Sequence, residues 1–414
     1  MRVEVLNTGT ELLLGSVLNT HPRIFAEALW PLGLRLQRQV TVPDGGEGIR
    51  GALEDAFARA DIVLMTGGLG PTTDDISREA VAELLGLEMI HDETVMEAIR
   101  ARFARRGLEM SARNARQAQR PPEAIVLPNH HGTAPGLYLP PQPWRGGQTP
   151  HLFLLPGPPR ELQPMFIEGV LPILQQVVPP RPMVEMRVFR TAGLGESNVE
   201  QMVGEPLLAL GIELGYCARP GEVDLRTIGA PEVLDDAARI IEEKLGPHIV
   251  TRDQRTLEKV VVDLLTERHE TLAVAESCTG GFLAHRVTNV PGASVVFVEG
   301  FVTYANAAKI RALGVDPALI EAHGAVSEPV ARAMAEGARR NAQADHALST
   351  TGIAGPGGGT DEKPVGTVFI GLATKLGPTV VERHRFGSNR ENFKDHATQA
   401  ALNLLRRAMV APGA

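Results

Sequence analysis

Short apolar runs alternate with amphipathic helical stretches along most of this chain, and that alternation restricts it to sheets of mainly parallel strands covered by helices on both faces. From Val3 to about Val170, the runs Val3 to Leu6, Asp61 to Met65 and Leu152 to Leu155 are separated by helical patterns at Thr20 to Leu32, Ile49 to Ala60 and Ser77 to Leu85. From about Thr256 the alternation resumes, with strands near Leu272 to Ala275, Val295 to Tyr304, His346 to Thr351 and Val365 to Ala373. Proline-rich stretches at 140–150 and 179–182 break the periodicity, and the second reads as a linker. After it comes a shorter unit: a strand from Met183 to Thr191, a helix from Glu196 to Leu210, two strands around Pro220-Gly221 and a helix from Leu234 to Leu245. The pattern predicts two three-layer α/β domains, residues 1–170 and 255–414, joined by a small α+β module at 180–250. A chain of 414 residues is long enough for several separate cores.

Charge and cysteine usage narrow the function classes. A formal charge of −8 argues against nucleic acid as a partner, because affinity for a phosphate backbone rests on a basic footprint. One local exception is the cluster Arg100, Arg102, Arg105, Arg106, Arg113, Arg116 and Arg120, which reads as a phosphate-facing or a solvated helical face. Cys217 and Cys278 are the only cysteines, too few for a disulfide framework and without zinc-type spacing. No charged leader or long apolar stretch is visible, so the expectation is a cytoplasmic protein with no membrane partner.

In the first block, Thr66-Gly67-Gly68-Leu69-Gly70-Pro71-Thr72-Thr73-Asp74-Asp75 follows directly on a strand and has the makings of a phosphate loop. Glycines let the backbone approach an anion, threonine hydroxyls add donors, and a helix beginning near Ile76 supplies a positive dipole end. Carboxylates beside an anion call for a bridging divalent cation, and Asp75 is assigned to it; Asp74 reads equally as a helix cap. The same sheet edge should carry Gly9-Thr10-Glu11, Asp44 and Pro156-Gly157-Pro158, since ligands of open α/β sheets bind there. Glu11 as a helix-start cap and Asp44 as a turn residue are open alternatives. The turn Gly132 to Gly136 reads as structural.

In the last block, Glu276-Ser277-Cys278-Thr279-Gly280-Gly281 closes a strand and opens a helical pattern from Phe282 to Val290. A serine there can be a nucleophile, with N–H groups at the helix start receiving an oxyanion or phosphate, or a plain N-cap. Further on, Thr351-Gly352-Ile353-Ala354-Gly355-Pro356 has the backbone freedom to wrap a ribose phosphate, and Arg390 precedes the final helix as a candidate for a bidentate phosphate bond.

These segments resemble a known family. Thr66 to Asp75, Gly9-Thr10-Glu11, Asp44 and Gly157 among its prolines resemble the molybdopterin-binding-like domain at the N-terminus of CinA proteins. Ser277 to Gly281, Tyr304 with Lys309, and Thr351 to Pro356 resemble the CinA C-terminal domain, a nicotinamide mononucleotide deamidase, and the unit between resembles the family's KH-like module. The resemblance covers nearly the whole chain. It implies a bifunctional pyridine-nucleotide salvage hydrolase, usually a dimer, that deamidates nicotinamide mononucleotide and cleaves ADP-ribose to AMP and ribose 5-phosphate. It implies a divalent metal for the second reaction and no cofactor for the first. Ser277 would be the nucleophile, assisted by Lys309 and Tyr304, with Thr351 also catalytic; Asp75 and Asp44 would serve the pyrophosphatase. Substrate contacts would fall to Thr279, Gly280, Gly281, Gly352, Gly355 and Arg390 in one site, and to Gly9, Thr10, Glu11, Thr66, Gly67, Gly68, Gly70, Asp74 and Gly157 in the other. A desolvated Lys309 can take the proton of Ser277, with Tyr304 relaying or orienting it. Neither His269 nor His285 makes an obvious base, and Cys278, the rival nucleophile, reads as buried filler. Two other readings stay open: an N-terminal domain that binds a pterin or nucleotide without turning it over, and a competence- or DNA-related role.

Overall fold

The computed structural model describes residues 1–180, 182, 184–387 and 389–410; Arg181 and Met183, of the expected linker and strand, and Ser388, before the last helix, lie outside them. The chain divides into two compact units, 1–182 and 183–414.

The first unit is built on a six-stranded sheet in the order Leu36–Val42, Val3–Thr8, Ile62–Thr66, His151–Leu155, Gly136–Leu139, Ile125–Leu127. The first four strands are parallel and the last two antiparallel, so the expectation of a mainly parallel sheet holds with a two-strand antiparallel edge. Side chains alternate between the faces as a period of two requires. Val5, Ile62, Leu64, Phe153 and Leu155 enter one core, and Leu6, Val63, Met65, Leu152 and Leu154 the other. Register then sets the site: Asn7 and Leu155 both align with Thr66, and Thr8 aligns with Val42. The loops after these four strands therefore leave the same edge of the sheet. The proline-rich stretch before the strand His151–Leu155 is a small hairpin, Pro143–Trp144 with Gly147–Gln148, whose Trp144 ring meets Phe57 edge-on at 5.3 Å.

The second unit contains two sheets. An antiparallel one runs Glu213–Arg219, Glu222–Gly229, Glu185–Ala192, Ile249–Thr251, backed by the helices Glu196–Leu208 and Pro231–Leu245. The second helix opens on a proline in its first turn and buries Leu234, Ala237, Ile241 and Leu245, a stripe at helical spacing. The other sheet runs Phe297–Val302, Leu272–Glu276, His346–Gly352, Thr367–Thr374, Val380–Arg385; the first three strands are parallel. Leu272 and Val274 face the helices Leu257–Arg268 and Arg390–Val410, whereas Ala273 and Ala275 face Glu328–Ala342. No helix among the described residues is long and apolar enough to cross a membrane.

Buried arginines fasten the small module to the C-terminal α/β domain, so that it is part of one compact unit rather than a loose spacer. Arg190 bonds Asp224 through two nitrogens, at 2.7 and 3.1 Å, and donates to the carbonyls of Gln254 and Arg255. Arg406 of the last helix reaches back to the carbonyls of Ile249 and Pro247. Without Arg190, Asp224 keeps among the described residues only the more exposed Arg219, at 2.8 Å, and the carbonyls of Gln254 and Arg255 lose their donor. Arg190→Leu is therefore expected to destabilise the second unit by about 3 kcal/mol in urea unfolding; a loss within error would show that the module is held by its apolar contacts alone.

Candidate active sites

The first-unit edge gathers a crevice of about 360 Å³. Gly9, Glu11, Asp44, Gly67, Gly68, Gly70, Asp74, Asp75 and Gly157 line it as expected, together with Thr133 and Glu161, which sequence reading did not place there. Backbone conformation explains the glycines: Gly67 has φ 95°, and a Cβ on it would strike the Thr8 carbonyl. Thr10 and Asp44 clamp each other, the Thr10 N–H donating to Asp44 Oδ2 at 2.8 Å and its hydroxyl accepting from the Asp44 N–H at 3.4 Å. Thr10 thus positions Asp44 and is not itself on the crevice wall.

Thr66 corrects the expectation of a ligand donor, because its hydroxyl lies beneath the floor. It accepts from Asn7 Nδ2 at 2.6 Å and sits 3.0 Å from His21 Nδ1, while His21 Nε2 meets the Gly157 carbonyl at 2.7 Å. A carbonyl can only accept, so Nε2 carries the proton, and burial lowers the His21 pKa and keeps the ring neutral. Asp75 also does structural work: its Oδ2 accepts the Thr72 N–H at 2.9 Å and the Thr72 hydroxyl, stapling the loop.

Two arginines hold that loop from behind. Arg78, 1% exposed, donates to the carbonyls of Leu69 and Gly70, and Arg116 to those of Thr72 and Asp75 and to Glu79. Arg120 likewise pairs with Asp92 and three nearby carbonyls. Arg116 and Arg120 are thus neither a phosphate-facing nor a solvated face.

The second site is built around Ser277, at the end of the strand Leu272–Glu276. Lys309 Nζ lies 3.1 Å from Ser277 Oγ, 2.9 Å from the Thr303 carbonyl and 3.1 Å from the Tyr304 carbonyl. Lys309 is 1% exposed, and burial pulls its pKa below the ordinary lysine value. A neutral amine has two N–H donors and one lone pair. With both donors on carbonyls, the lone pair is left for the serine hydroxyl.

Glu276, fully buried, reorganises the reading of the helix start. Being two residues beyond Val274, it points to the same face, under the helix Phe282–Thr288, and accepts the N–H groups of Gly281 and Leu283 at 3.0 Å and of Ala284 at 2.8 Å. These donors are therefore not available to a phosphate, contrary to expectation. Ser277 N–H goes to Thr350, Gly280 N–H to Ser277 and Phe282 N–H to Thr279. Among the described residues no other residue takes the N–H groups of Cys278 and Thr279, which follow Ser277 directly. The Thr279 hydroxyl pairs with Thr350 at 2.7 Å inside the protein, so Thr279 can offer a ligand only its backbone. Gly280 and Gly281, at φ 64° and 95°, allow the chain to fold back over Glu276.

The Tyr304 phenol bonds Arg390 and is not placed as a relay between Ser277 and Lys309. Tyr304 is 61% exposed and accepts from Arg390 Nη2 at 2.9 Å, while Arg390 Nη1 donates to the Gly355 carbonyl at 2.9 Å. Tyr304 helps Lys309 through its carbonyl, and Arg390 ties the phenol to the glycine loop. Thr351 is also displaced from chemistry, its hydroxyl donating to the Ala325 carbonyl at 2.7 Å. Gly352 is required by packing, since a Cβ there would lie 2.7 Å from the Thr367 carbonyl. Cys278 is buried filler as expected, its thiol pushed up to about 12 by burial. His285 bonds Asn289, and His269 ends the helix Leu257–Arg268.

Comparison with known proteins covers the same blocks. Residues 4–176 match the family described as "Probable molybdopterin binding domain", 186–249 the "Damage-inducible protein CinA KH domain", and 254–409 the "CinA C-terminal domain". A CinA-like protein of Akkermansia muciniphila is 44% identical over 97% of this chain and 96% of its own. A competence-damage inducible protein of Moorella thermoacetica is 45% identical over 99% of both. Among solved structures, competence/damage inducible protein CihA from Agrobacterium tumefaciens is 38% identical, covering 37% of this chain and 93% of that one with a TM-score of 0.36.

A glutamine at 276 would replace one acceptor oxygen by an N–H₂ facing backbone donors. Glu276→Gln is expected to cost about 2 kcal/mol of stability and to slow phosphonylation of Ser277 by a fluorophosphonate; unchanged values for both would remove Glu276 from the organisation of the corner.

Proposed function

Because the chain belongs to the CinA family along nearly all its length, we propose that its second unit hydrolyses the carboxamide of nicotinamide mononucleotide, and its first unit the pyrophosphate of ADP-ribose. The single observation that carries the first assignment is Ser277 Oγ 3.1 Å from a buried lysine nitrogen whose other contacts are carbonyls. Ser277 Oγ attacks the amide carbon while its proton passes to Lys309 Nζ. The oxyanion that forms is received by the Cys278 and Thr279 N–H groups. Lys309 returns the proton to the leaving nitrogen, the C–N bond breaks, and ammonia departs from an acyl-serine. Water then repeats the sequence and releases nicotinate mononucleotide. The substrate's phosphate falls to Arg390, the cation that joins Tyr304 to the glycine loop.

For the first unit, the residues suit a divalent cation shared with the substrate. Among the described residues no three carboxylate, histidine or cysteine side chains lie close enough to cage an ion alone. Asp44 and Asp75 line one crevice, and magnesium-type sites combine one or two carboxylates with phosphate oxygens. Such a cation would neutralise charge on the pyrophosphate. The chain's part is to present Asp44, fixed by Thr10, and Asp75, fixed by Thr72. The reading of this unit as a binding module has its own support, since the loop-stapling bonds of Asp75 would be needed for binding alone.

Purified protein is expected to release ammonia from nicotinamide mononucleotide, with Ser277→Ala inactive and Lys309→Arg reduced at least about 100-fold, because a guanidinium stays protonated. The rate should rise with pH as Lys309 loses its proton and level off below the ordinary lysine value of 10.5; activity in Ser277→Ala, or a rate that falls over this range, would refute the assignment.

AMP release from ADP-ribose is expected to need added divalent metal and to drop at least about tenfold in Asp75→Asn. Binding of ADP-ribose with no AMP formed at any metal concentration would instead establish the binding module.

A further inference from the structure

Arg116, Arg120 and Arg100 of the basic cluster are taken by carboxylates and carbonyls. Arg102, Arg105 and Arg106, at the carboxyl end of the helix Glu93–Arg105, make no ion pair among the described residues, and neither does Arg160 at the start of the helix Pro159–Met165. The four stand close together: burial and the charges of Arg106, Arg105 and Arg160 hold the Arg102 pKa below the ordinary arginine value, against the pull of Glu161. Glu161 is itself engaged, its Oε2 accepting from Asn129 Nδ2 at 2.8 Å. The negative end of a helix attracts cations in its last turn, which accounts for Arg105 and Arg106 but not for Arg160 on another helix. In a chain of net charge −8, an uncompensated group of arginines calls for an anion.

Arg102 and Arg105 line a cavity of about 380 Å³ whose wall is otherwise largely apolar, with Val95, Ala98, Ile99, Val126 and Pro135. Arg102 Nη1 donates to the His130 carbonyl at 2.9 Å, which fixes the guanidinium in place, and Arg102 Nε is shut off from solvent with no acceptor. A buried N–H without an acceptor is costly unless a ligand supplies one. The cavity adjoins the crevice of the same unit, and Thr133 lines both. The turn that carries Thr133 is pinned by Asn129, whose Oδ1 accepts the N–H groups of His131 and Gly132 at 2.9 and 2.6 Å and whose Nδ2 donates to the Ala134 carbonyl at 2.7 Å. A Cβ on Gly132 would strike the Glu161 carboxylate, so the turn lies tight against the crevice wall. Cavity and crevice are thus preformed side by side, with Asp44 and Asp75 in one and arginines in the other.

An apolar hollow suits a base, and arginines suit a phosphate. On the reading that the crevice takes the pyrophosphate of ADP-ribose, we propose that the adjoining cavity receives the adenosine end and that Arg102 and Arg105 bind a phosphate on its ribose, so that the preferred substrate is ADP-ribose carrying a 2′-phosphate. An arginine beside a dinucleotide site is a common means of accommodating that group. Water cleaves the same P–O–P bond as in ADP-ribose, and the products are adenosine 2′,5′-bisphosphate and ribose 5-phosphate.

Calorimetric binding of ADP-ribose and of its 2′-phosphate to the full chain, at physiological ionic strength, tests this without requiring turnover. The 2′-phosphate is expected to tighten binding about tenfold, and Arg102→Gln or Arg105→Gln to remove that gain while leaving the affinity for ADP-ribose within about twofold. Arg105→Gln, which has no hydrogen bond to lose among the described residues, decides the matter where Arg102→Gln disturbs the fold. Arg100→Gln, on the same helix but paired with Glu93 and off the cavity wall, is expected to keep the gain. No gain from the 2′-phosphate, a gain that survives Arg105→Gln, or one lost equally in Arg100→Gln would each overturn the proposal. The gain without hydrolysis of either compound would overturn only the pyrophosphatase reading, and hydrolysis of ADP-ribose without the gain would overturn only the preference.

Discussion

Burial of one amine organises the second unit's site. Water would stabilise the protonated form of Lys309, and its exclusion shifts the balance toward the free base. Desolvation alone would leave the nitrogen's direction undetermined. The carbonyls of Thr303 and Tyr304 settle it by taking two donors and leaving the third position at Ser277 Oγ. Those carbonyls are set by where the strand Phe297–Val302 ends and the helix Asn306–Leu313 begins, so the direction of the amine is a property of the sheet edge. Tyr304 contributes to it whatever its phenol does.

The two units solve a shared problem in opposite ways. A glycine-rich corner after a strand exposes more backbone groups than a ligand can use, and unpaired buried groups are costly. In the second unit the surplus is N–H, and the Glu276 carboxylate absorbs three of them, leaving those of Cys278 and Thr279. In the first unit the surplus is carbonyl, and Arg78 and Arg116 absorb four. Each unit thus uses a charge of the sign opposite to the backbone dipoles it must satisfy.

This division explains what the sequence allowed to be read. Period-two and period-3.6 patterns are local, so the strands around Val3, Ile62, Leu152, Leu272 and His346 and the loops after them were legible, and with them the convergence of Gly9, Asp44, Gly67 and Gly157. Lys309 was legible only through the family resemblance, because a lysine 32 residues from Ser277 reads on its own as a surface residue. The direction of a hydroxyl is not local. Thr66, Thr279 and Thr351 sit in motifs that suggest ligand donors, yet Asn7, Thr350 and Ala325, all distant in sequence, take them. Arg78 and Glu276 were missed for the same reason: nothing in a lone arginine or glutamate signals that it will be buried against backbone groups. The antiparallel edge of the first sheet also escaped, because Ile125–Leu127 and Gly136–Leu139 are too short to show a period, whereas Thr367–Thr374 of the second sheet was legible as a strand but not its direction.

Cys278 shows why the proposed reaction rests on the hydroxyl and not on the better intrinsic nucleophile. A thiol needs to ionise, and burial pushes this one to about 12, so almost none is thiolate near neutrality. Its side chain belongs to the core cluster that holds Leu283 and Val287. What Cys278 supplies is its N–H, and a small apolar side chain that lets the turn close. In the proposed reaction a serine at 277 needs no ionisation in advance, only a base within reach when the bond forms, and the buried amine would provide it. The two adjacent residues therefore differ in surroundings: packing keeps the intrinsically stronger nucleophile protonated, and position puts the weaker one against the buried amine.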